Sequence, residues 1–276
     1  KKIYSNIMIG IIGQGFVGNA VFQKFKNFYW VNTYDLNSSL ANSSYEQTIQ
    51  NEIIFLCLPS PMNKDGSCNT EIIENEIQRI DSDNKILIVK STVIPGTVEK
   101  WNSKFNSKIV FNPEFLTERD AVNDYNNQDR IILGGPENTL SRIKIIFNNV
   151  FPNAKIIKTD STTAESVKYM TNAFLSVKVS FANEMYKLAK SLNVDYDRLV
   201  EFAIYDVRLG SSHWNVPGPD GDFGFGGHCF PKDLSALIHQ KKKKGMINNI
   251  LKAALQTNDK VRNNRDWEKM KGRAVT

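Results

Sequence analysis

Six short runs rich in Ile, Val, Leu and Phe mark the first half of the chain: Ile7–Ile12, Val31–Tyr34, Ile53–Leu58, Ile86–Val89, Ile109–Phe111 and Ile131–Leu133. Most are apolar at both alternating positions, which suits strands covered on both faces, and the mixed polar stretches between them suit crossover helices. From Thr162 the texture changes. Ala164–Lys190 contains no Gly or Pro and sets Val167, Met170, Phe174, Val177, Phe181, Met185 and Leu188 at helical spacing, which predicts one long helix. A second helical stretch, Tyr196–Tyr205, leads into a loop dense in Gly and Pro, Gly210–Gly227, and helical patterning resumes at about Asp233. The pattern predicts an α/β fold: a doubly wound parallel sheet over residues 1–160, then a mainly α-helical central domain over 161–276 with one long helix.

The first run ends in Gly13-Gln14-Gly15-Phe16-Val17-Gly18, and a helical pattern follows (Ala20, Val21, Phe22, Phe25). In that setting GxGxxG carries a mechanism. Gly13 permits the tight turn, Gly15 lets the backbone approach a pyrophosphate, and Gly18 lets helix and strand pack closely. The first helical N–H groups, beginning at Phe16 and Val17, face the phosphates. Asp35, closing the second run, is placed for the adenosine ribose hydroxyls, and its charge repels a 2′-phosphate. The sheet is therefore of Rossmann type and the expected cofactor is NAD.

Composition narrows the picture further. With 276 residues, 41% hydrophobic and 23% charged, the chain has the make-up of a packed globular protein. Its longest apolar runs are far shorter than a membrane span, and no secretory leader pattern opens it, so a cytoplasmic location and no membrane partner are expected. The net charge of +6 is concentrated in Lys241–Lys244 and the tail beyond Lys252, without interleaved aromatic residues, which argues against nucleic acid as a partner. Cys57, Cys68 and Cys229 form neither a disulfide framework nor a metal-ligand spacing, so no metal is expected.

Cys229 stands apart from the other two. It lies in Phe223-Gly-Phe-Gly-Gly-His-Cys-Phe-Pro-Lys-Asp233, where glycines allow close backbone approach and a helix start with Lys232 nearby favours the thiolate. Such a thiol suits nucleophilic catalysis. Cys57, inside a strand run, and Cys68, in a polar connection, fit the reading of small structural residues.

Gly15 with Gly18, Asn112-Pro-Glu-Phe-Leu116, Asp129-Arg130, Glu165–Glu184 and Phe225–Asp233 together resemble the UDP-glucose 6-dehydrogenase family, within the wider UDP-glucose/GDP-mannose dehydrogenases. The resemblance runs from about Ile7 to Asn258. It implies oxidation of the C6 hydroxymethyl group of a nucleotide sugar to a carboxylate in two NAD-dependent steps, through a thiohemiacetal and a thioester on Cys229. Lys168 and Asn172, at i and i+4, take the alkoxide-stabilising positions. Glu114 matches the carboxylate that assists proton removal and thioester hydrolysis, and Asp233 the acid beside the thiol. Thr92, in Ser91-Thr-Val-Ile-Pro-Gly-Thr97, matches a threonine touching cofactor and water, although a plain helix cap before Pro95 is an equal alternative. Ser91 and Glu118 join the cofactor set; Glu118-Arg119 departs from the family's Glu-Gly pair. Phe115, Leu116, Arg208, Phe225 and Gly226 join the substrate set, and the family arrangement implies a homodimer paired through the long helix.

His228 replaces the commoner serine. Related UDP-N-acetylmannosamine dehydrogenases often carry histidine there but lack the Phe230-Pro-Lys-Asp233 continuation, which favours UDP-glucose. Family members continue into another Rossmann-like domain that holds the substrate nucleotide, and Met270–Thr276 resembles its opening. Three alternatives stay open: an inactive NAD-binding remnant serving as a structural or regulatory subunit; a related UDP-N-acetylmannosamine or GDP-mannose dehydrogenase; and an oxidoreductase of the 3-hydroxyisobutyrate or 6-phosphogluconate type, which would have no use for a cysteine nucleophile.

Overall fold

The structure, a computed structural model, describes residues 7–276. The chain forms two compact units: residues up to Ser60 with Thr70–Lys168, and Pro61–Asn69 with Tyr169–Thr276. In chain order the first contains β1 (Met8–Ile12), α1 (Phe16–Phe25), β2 (Trp30–Tyr34), α2 (Tyr45–Ile49), β3 (Ile53–Leu56), α3 (Glu71–Ile80), β4 (Ile86–Val89), α4 (Thr97–Lys104), β5 (Lys108–Phe111), α5 (Ala121–Asn126), β6 (Arg130–Gly134), α6 (Glu137–Val150) and β7 (Lys155–Thr159). Helix α7 (Ser161–Ser191) starts in this unit and ends in the second, which adds α8 (Tyr196–Ala203), α9 (Cys229–Lys243) and α10 (Asn249–Val261).

The sheet order is β2-β1-β3-β4-β5-β6-β7. Strands β1 to β5 are parallel, whereas β6 meets β5 antiparallel and pairs with β7 in parallel. The expected parallel sheet is therefore a mostly parallel one, with its last two strands reversed. β1 lies between β2 and β3, so the chain reverses its winding direction there, and the crevice at the carboxyl ends of these strands is where such folds bind ligands.

The double-sided hydrophobic runs have a direct structural reading. Ile53, Phe55, Ile86, Ile88, Val110, Ile131 and Leu133 pack on one face with α1, α5 and α6. Their alternates Ile54, Leu56, Leu87, Val89, Ile109, Phe111 and Ile132 pack on the other with α2, α3, α4 and the start of α7. The Ile53–Leu58 run yields a strand only to Leu56; Cys57 continues as a connection, although its N–H still donates to Ile12 O at 2.8 Å. One strand, β7, lies outside the expected set. As an edge strand it carries lysines at two positions and leaves Ile157 partly exposed, so it shows no continuous apolar run.

In the second unit α7, α9 and α10 pack around Ala173, Phe225, Leu234 and Ala254, while the end of α7 and α8 enclose Ala182, Ala189, Tyr196 and Val216. α9 begins at Cys229, earlier than the helical patterning from Asp233 suggests. Met270–Thr276 forms a turn whose Ala274 O accepts from Met62 N and whose Thr276 N donates to Met62 O. No helix among the described residues is long and apolar enough to cross a membrane.

Candidate active site

The glycine loop of the first unit has the geometry of a phosphate cradle. Gly13 has φ +92°, and a Cβ there would lie 2.4 Å from the Cys57 carbonyl oxygen. A Cβ on Gly18 would lie 1.8 Å from Gly13 O, so the turn and the first turn of α1 close on each other only with glycine present. Gly15 caps α1, and nothing lies within 4 Å of where its Cβ would point. That open space, in front of the first N–H groups of α1, has room for a dinucleotide pyrophosphate. Asp35 accepts hydrogen bonds from Gln14 N at 2.7 Å and Asn37 N at 2.8 Å. Its carboxylate thereby ties the loop to β2 and borders a groove of ≈ 600 Å³ lined also by Ser38, Ser43 and Tyr45. The residues fit NAD.

Further along the sheet, a buried ionic cluster gathers from β4, β5 and α7. Lys168 Nζ donates to Glu114 O at 2.6 Å and to Glu114 Oε1 at 3.0 Å, both side chains almost wholly buried. Burial alone would raise the Glu114 pKa, but the Lys168 ammonium and the Leu116 N–H, 2.8 Å from Oε2, hold it below the usual carboxylate range. Phe115 presents its ring to Lys168 and Arg130 at 5.3 and 4.9 Å. Lys90 donates to Asn112 Oδ1 at 2.8 Å, and burial brings its ammonium down to about 8. Burial pushes the neighbouring Cys57 thiol up to about 12, in keeping with a structural cysteine.

Ser91 donates to Leu58 O, and Thr92 is buried beside it in sequence. Thr92 is no helix cap: the N-cap of α4 is Gly96. A different residue satisfies that helix start. Glu165, fully buried on α7, accepts from Gly96 N at 2.6 Å and Val98 N at 2.8 Å, and burial pushes its pKa up to about 7. Sequence reasoning gave no role to Glu165 or Lys90; the only signal for either was a charge inside an otherwise apolar context. Glu118, by contrast, is exposed.

The second unit brings Asn172, Lys232, Asp233 and Cys229 together. Asn172 Nδ2 donates to Asp233 Oδ2 and Lys232 Nζ to Asp233 Oδ1, each at 2.6 Å, and all three residues are buried. Burial disfavours the Lys232 ammonium, yet Asp233, with the Cys68 and Cys229 sulfurs behind it, raises its pKa. Cys229 is the first residue of α9 and half-buried, as the helix-start argument requires. Lys232 was expected to serve the thiol, but its hydrogen bond goes to Asp233. The loop glycines also have a structural duty: a Cβ on Gly224 would lie 2.1 Å from Asn258 Oδ1, and one on Gly226 2.0 Å from Arg262 Nη2. Asn258 bonds both the N–H and the carbonyl of Phe225, whose ring is committed to the core. Arg208 is exposed and paired with Asp206.

Residues 30–151 match the NAD binding domain, and residues 162–260 the central domain, of the UDP-glucose/GDP-mannose dehydrogenase family. The chain belongs to that family. It is 31% identical over 240 residues to UDP-glucose 6-dehydrogenase AglM of Haloferax volcanii, covering 79% of this chain and 55% of that protein. With UDP-glucose 6-dehydrogenase TuaD of Bacillus subtilis it shares 29% identity over 242 residues, 84% of this chain and 51% of the relative. A UDP-glucose dehydrogenase structure from Pyrobaculum islandicum superposes with a TM-score of 0.81 at 28% identity, over 92% of this chain and 68% of that one. The chain thus spans about half the length of these curated relatives.

Two outcomes test this geometry. Asp35→Ala removes the carboxylate that holds Gln14 and borders the groove, and is expected to weaken NAD about tenfold to a hundredfold, with a smaller effect on NADP, by titration calorimetry. Glu165 has a folded pKa of about 7 against an ordinary 4.5, so its contribution to stability is complete below pH 4.5 and lost as pH rises through 7, by up to about 3 kcal/mol. Glu165→Gln should be less stable at low pH and should lose this slope, read from urea midpoints between pH 4.5 and 8.

Proposed function

We propose that this chain carries the NAD-binding and sugar-oxidising parts of a nucleotide-sugar 6-dehydrogenase, with UDP-glucose oxidised to UDP-glucuronate. The observation that carries the reading is Cys229, half-accessible at the first position of α9 and followed on the same helix by an Asp233 that Asn172 and Lys232 hold in place. The names of the curated relatives support UDP-glucose as the sugar nucleotide.

Each residue then has a chemical task. A carboxylate bonded to two donors, as Asp233 is, remains an acceptor that can orient a water or take a proton. The Cys229 thiolate adds to the C6 aldehyde and retains it as a thiohemiacetal, whose oxidation leaves a thioester open to hydrolysis. Lys168 and Asn172 stabilise the oxygen anion as it develops, and Glu114, kept ionised by Lys168, serves as a base for hydrolysis. When bound, NAD supplies the acceptor for both hydrides. Phe115, Leu116 and Arg208 are proposed to contact the sugar nucleotide, and Thr92 and Ser91 the cofactor side. No residue of this chain is assigned to the uridine moiety.

A homodimer through α7 is part of the proposal. Met170, Phe174, Phe181 and Leu188 follow a near-heptad spacing on α7 and are 75%, 65%, 51% and 47% exposed, an apolar stripe too large to leave to water. Sedimentation at micromolar concentration should give twice the monomer mass, and Phe174→Glu should return the protein to a monomer; a monomeric parent chain would refute the pairing.

NADH formation from the chain with NAD and UDP-glucose, GDP-mannose or UDP-N-acetylmannosamine tests the reaction. UDP-glucose should yield two NADH per sugar. Cys229→Ser should lower turnover by about a thousandfold or more while leaving NAD affinity unchanged. Intact NAD binding without NADH from any nucleotide sugar would favour the remnant reading instead.

A further inference from the structure

The preceding side chain is a polar group in contact with the Cys229 sulfur, and the Lys232 ammonium, hydrogen-bonded to Asp233, also interacts with that sulfur through its charge. His228 Nε2 lies 3.3 Å from Cys229 Sγ. That distance suits an S–H···N hydrogen bond, with the imidazole accepting at Nε2 and carrying its own proton on Nδ1, the tautomer a protonated thiol requires. His228 is the N-cap of α9 and Cys229 its first helical residue, so the sulfur stands both at the positive end of a helix and against an imidazole. Both side chains are half-buried, which leaves the sulfur open to a reagent while removing part of its solvent.

We propose that His228 is the base that takes the Cys229 proton, so that the nucleophile rests as an imidazolium–thiolate pair. The inference rests on Cys229 being the nucleophile and adds the group that activates it. The S–H bond breaks as N–H forms at Nε2. The sulfur electron pair then forms the S–C bond to the aldehyde, the carbonyl π pair moves to oxygen, and that oxygen takes the imidazolium proton to complete the thiohemiacetal. When the thiohemiacetal is oxidised its hydroxyl proton returns to Nε2 as the hydride leaves, so in thioester hydrolysis the S–C bond breaks beside an imidazolium, which makes the departing thiolate a better leaving group.

Other titratable groups stand nearby: on α9, Asp233 is bonded to Lys232 and Asn172 at 2.6 Å each, and the His213 ring lies 5.7 Å from that of Phe230. Asp266 accepts from Gly227 N and from Arg262. Asn172 of α7 is neutral, and the Cys68 thiol, from the 61–69 segment, acts with Cys229 on the Lys232 ammonium. Histidine at 228 is also a departure from the family's commoner serine, whose hydroxyl could donate a hydrogen bond to the sulfur but could not hold its proton at neutral pH.

Brief iodoacetamide labelling, with the Cys229 peptide followed by mass spectrometry, tests the pair across pH. An isolated thiol is only about 1% ionised at pH 6.5. His228→Ser and His228→Gln should therefore both slow Cys229 labelling by about tenfold or more at pH 6.5, yet agree with the parent within about twofold at pH 9.5, where an ordinary accessible thiol is about nine-tenths ionised. Superimposed profiles, or an equal loss at both pH values, would overturn the assignment. The unsubstituted chain gives an independent reading that no folding defect can obscure: thiolate absorbance at 240 nm, less that of Cys229→Ser, should show a step with its midpoint below pH 7.5, and a midpoint at 8.5 or above refutes the pair. Neither measurement needs turnover, so failure to form NADH bears on the dehydrogenase reading alone.

Discussion

The constraint on which the structure depends is the burial of polar side chains along α7. Glu165, Lys168, Asn172, Ser176, Lys178, Ser180 and Asn183 are all buried on this one helix. A buried polar group left without a partner costs about 1–3 kcal/mol, more if charged, so each must meet a complementary group from elsewhere in the chain. Glu165 closes the start of α4, and Lys168 takes Glu114. Asn172 takes Asp233, Lys178 takes the carbonyls of Leu209 and Gly210, Ser180 takes Ala254 O, and Asn183 takes Gly224 N. Ser176 bonds within the helix, to Asn172 O, and Asn183 does so as well, to Val179 O. An all-apolar helix would pack as well and specify less, since dispersion contacts tolerate slippage that hydrogen bonds do not.

The same requirement sets the charge states. In the first unit two ammonium groups, Lys90 and Lys168, share one buried carboxylate, Glu114. Glu114 is therefore held ionised, while Lys90, whose hydrogen bond is to the neutral Asn112, is the group whose charge burial weakens. In the second unit Lys232 and Asp233 stand one to one. The Lys232 ammonium interacts with the Cys229 sulfur as well as with Asp233, and that sulfur stands at the start of α9 with the His228 imidazole 3.3 Å away.

Glycine does two jobs in the two motifs. At Gly15 the missing side chain leaves space, the signature of a site that a ligand's phosphates enter. At Gly224 and Gly226 it admits Asn258 and Arg262, which hold the loop leading to Cys229. At these two positions of the loop it is protein that approaches closely, whereas Gly221 and Gly227 face open space. Arg262, paired with Asp220 and Asp266, is the buried cation around which this loop is folded.

Local chemistry by itself determined much of this protein: strands buried on both faces must be apolar at every position, a turn closing on a helix must be glycine at Gly13 and Gly18, and a long helix admits no proline. Those rules made β1 to β6, α7 and the glycine turn before α1 legible from order alone. β7 escaped because an edge strand needs no continuous apolar run, and the reversed β6 escaped because strand direction is set by connections rather than by composition. What only the tertiary structure decided is which polar groups pair. Glu165 lies beyond β5, β6 and β7 from the α4 turn it closes, and Lys232 as well as His228 is a close sequence neighbour of Cys229. Hydrogen bonds are directional and saturable, so the partner each donor finds depends on where folding puts the competing acceptors: Lys232 to Asp233, His228 to the sulfur.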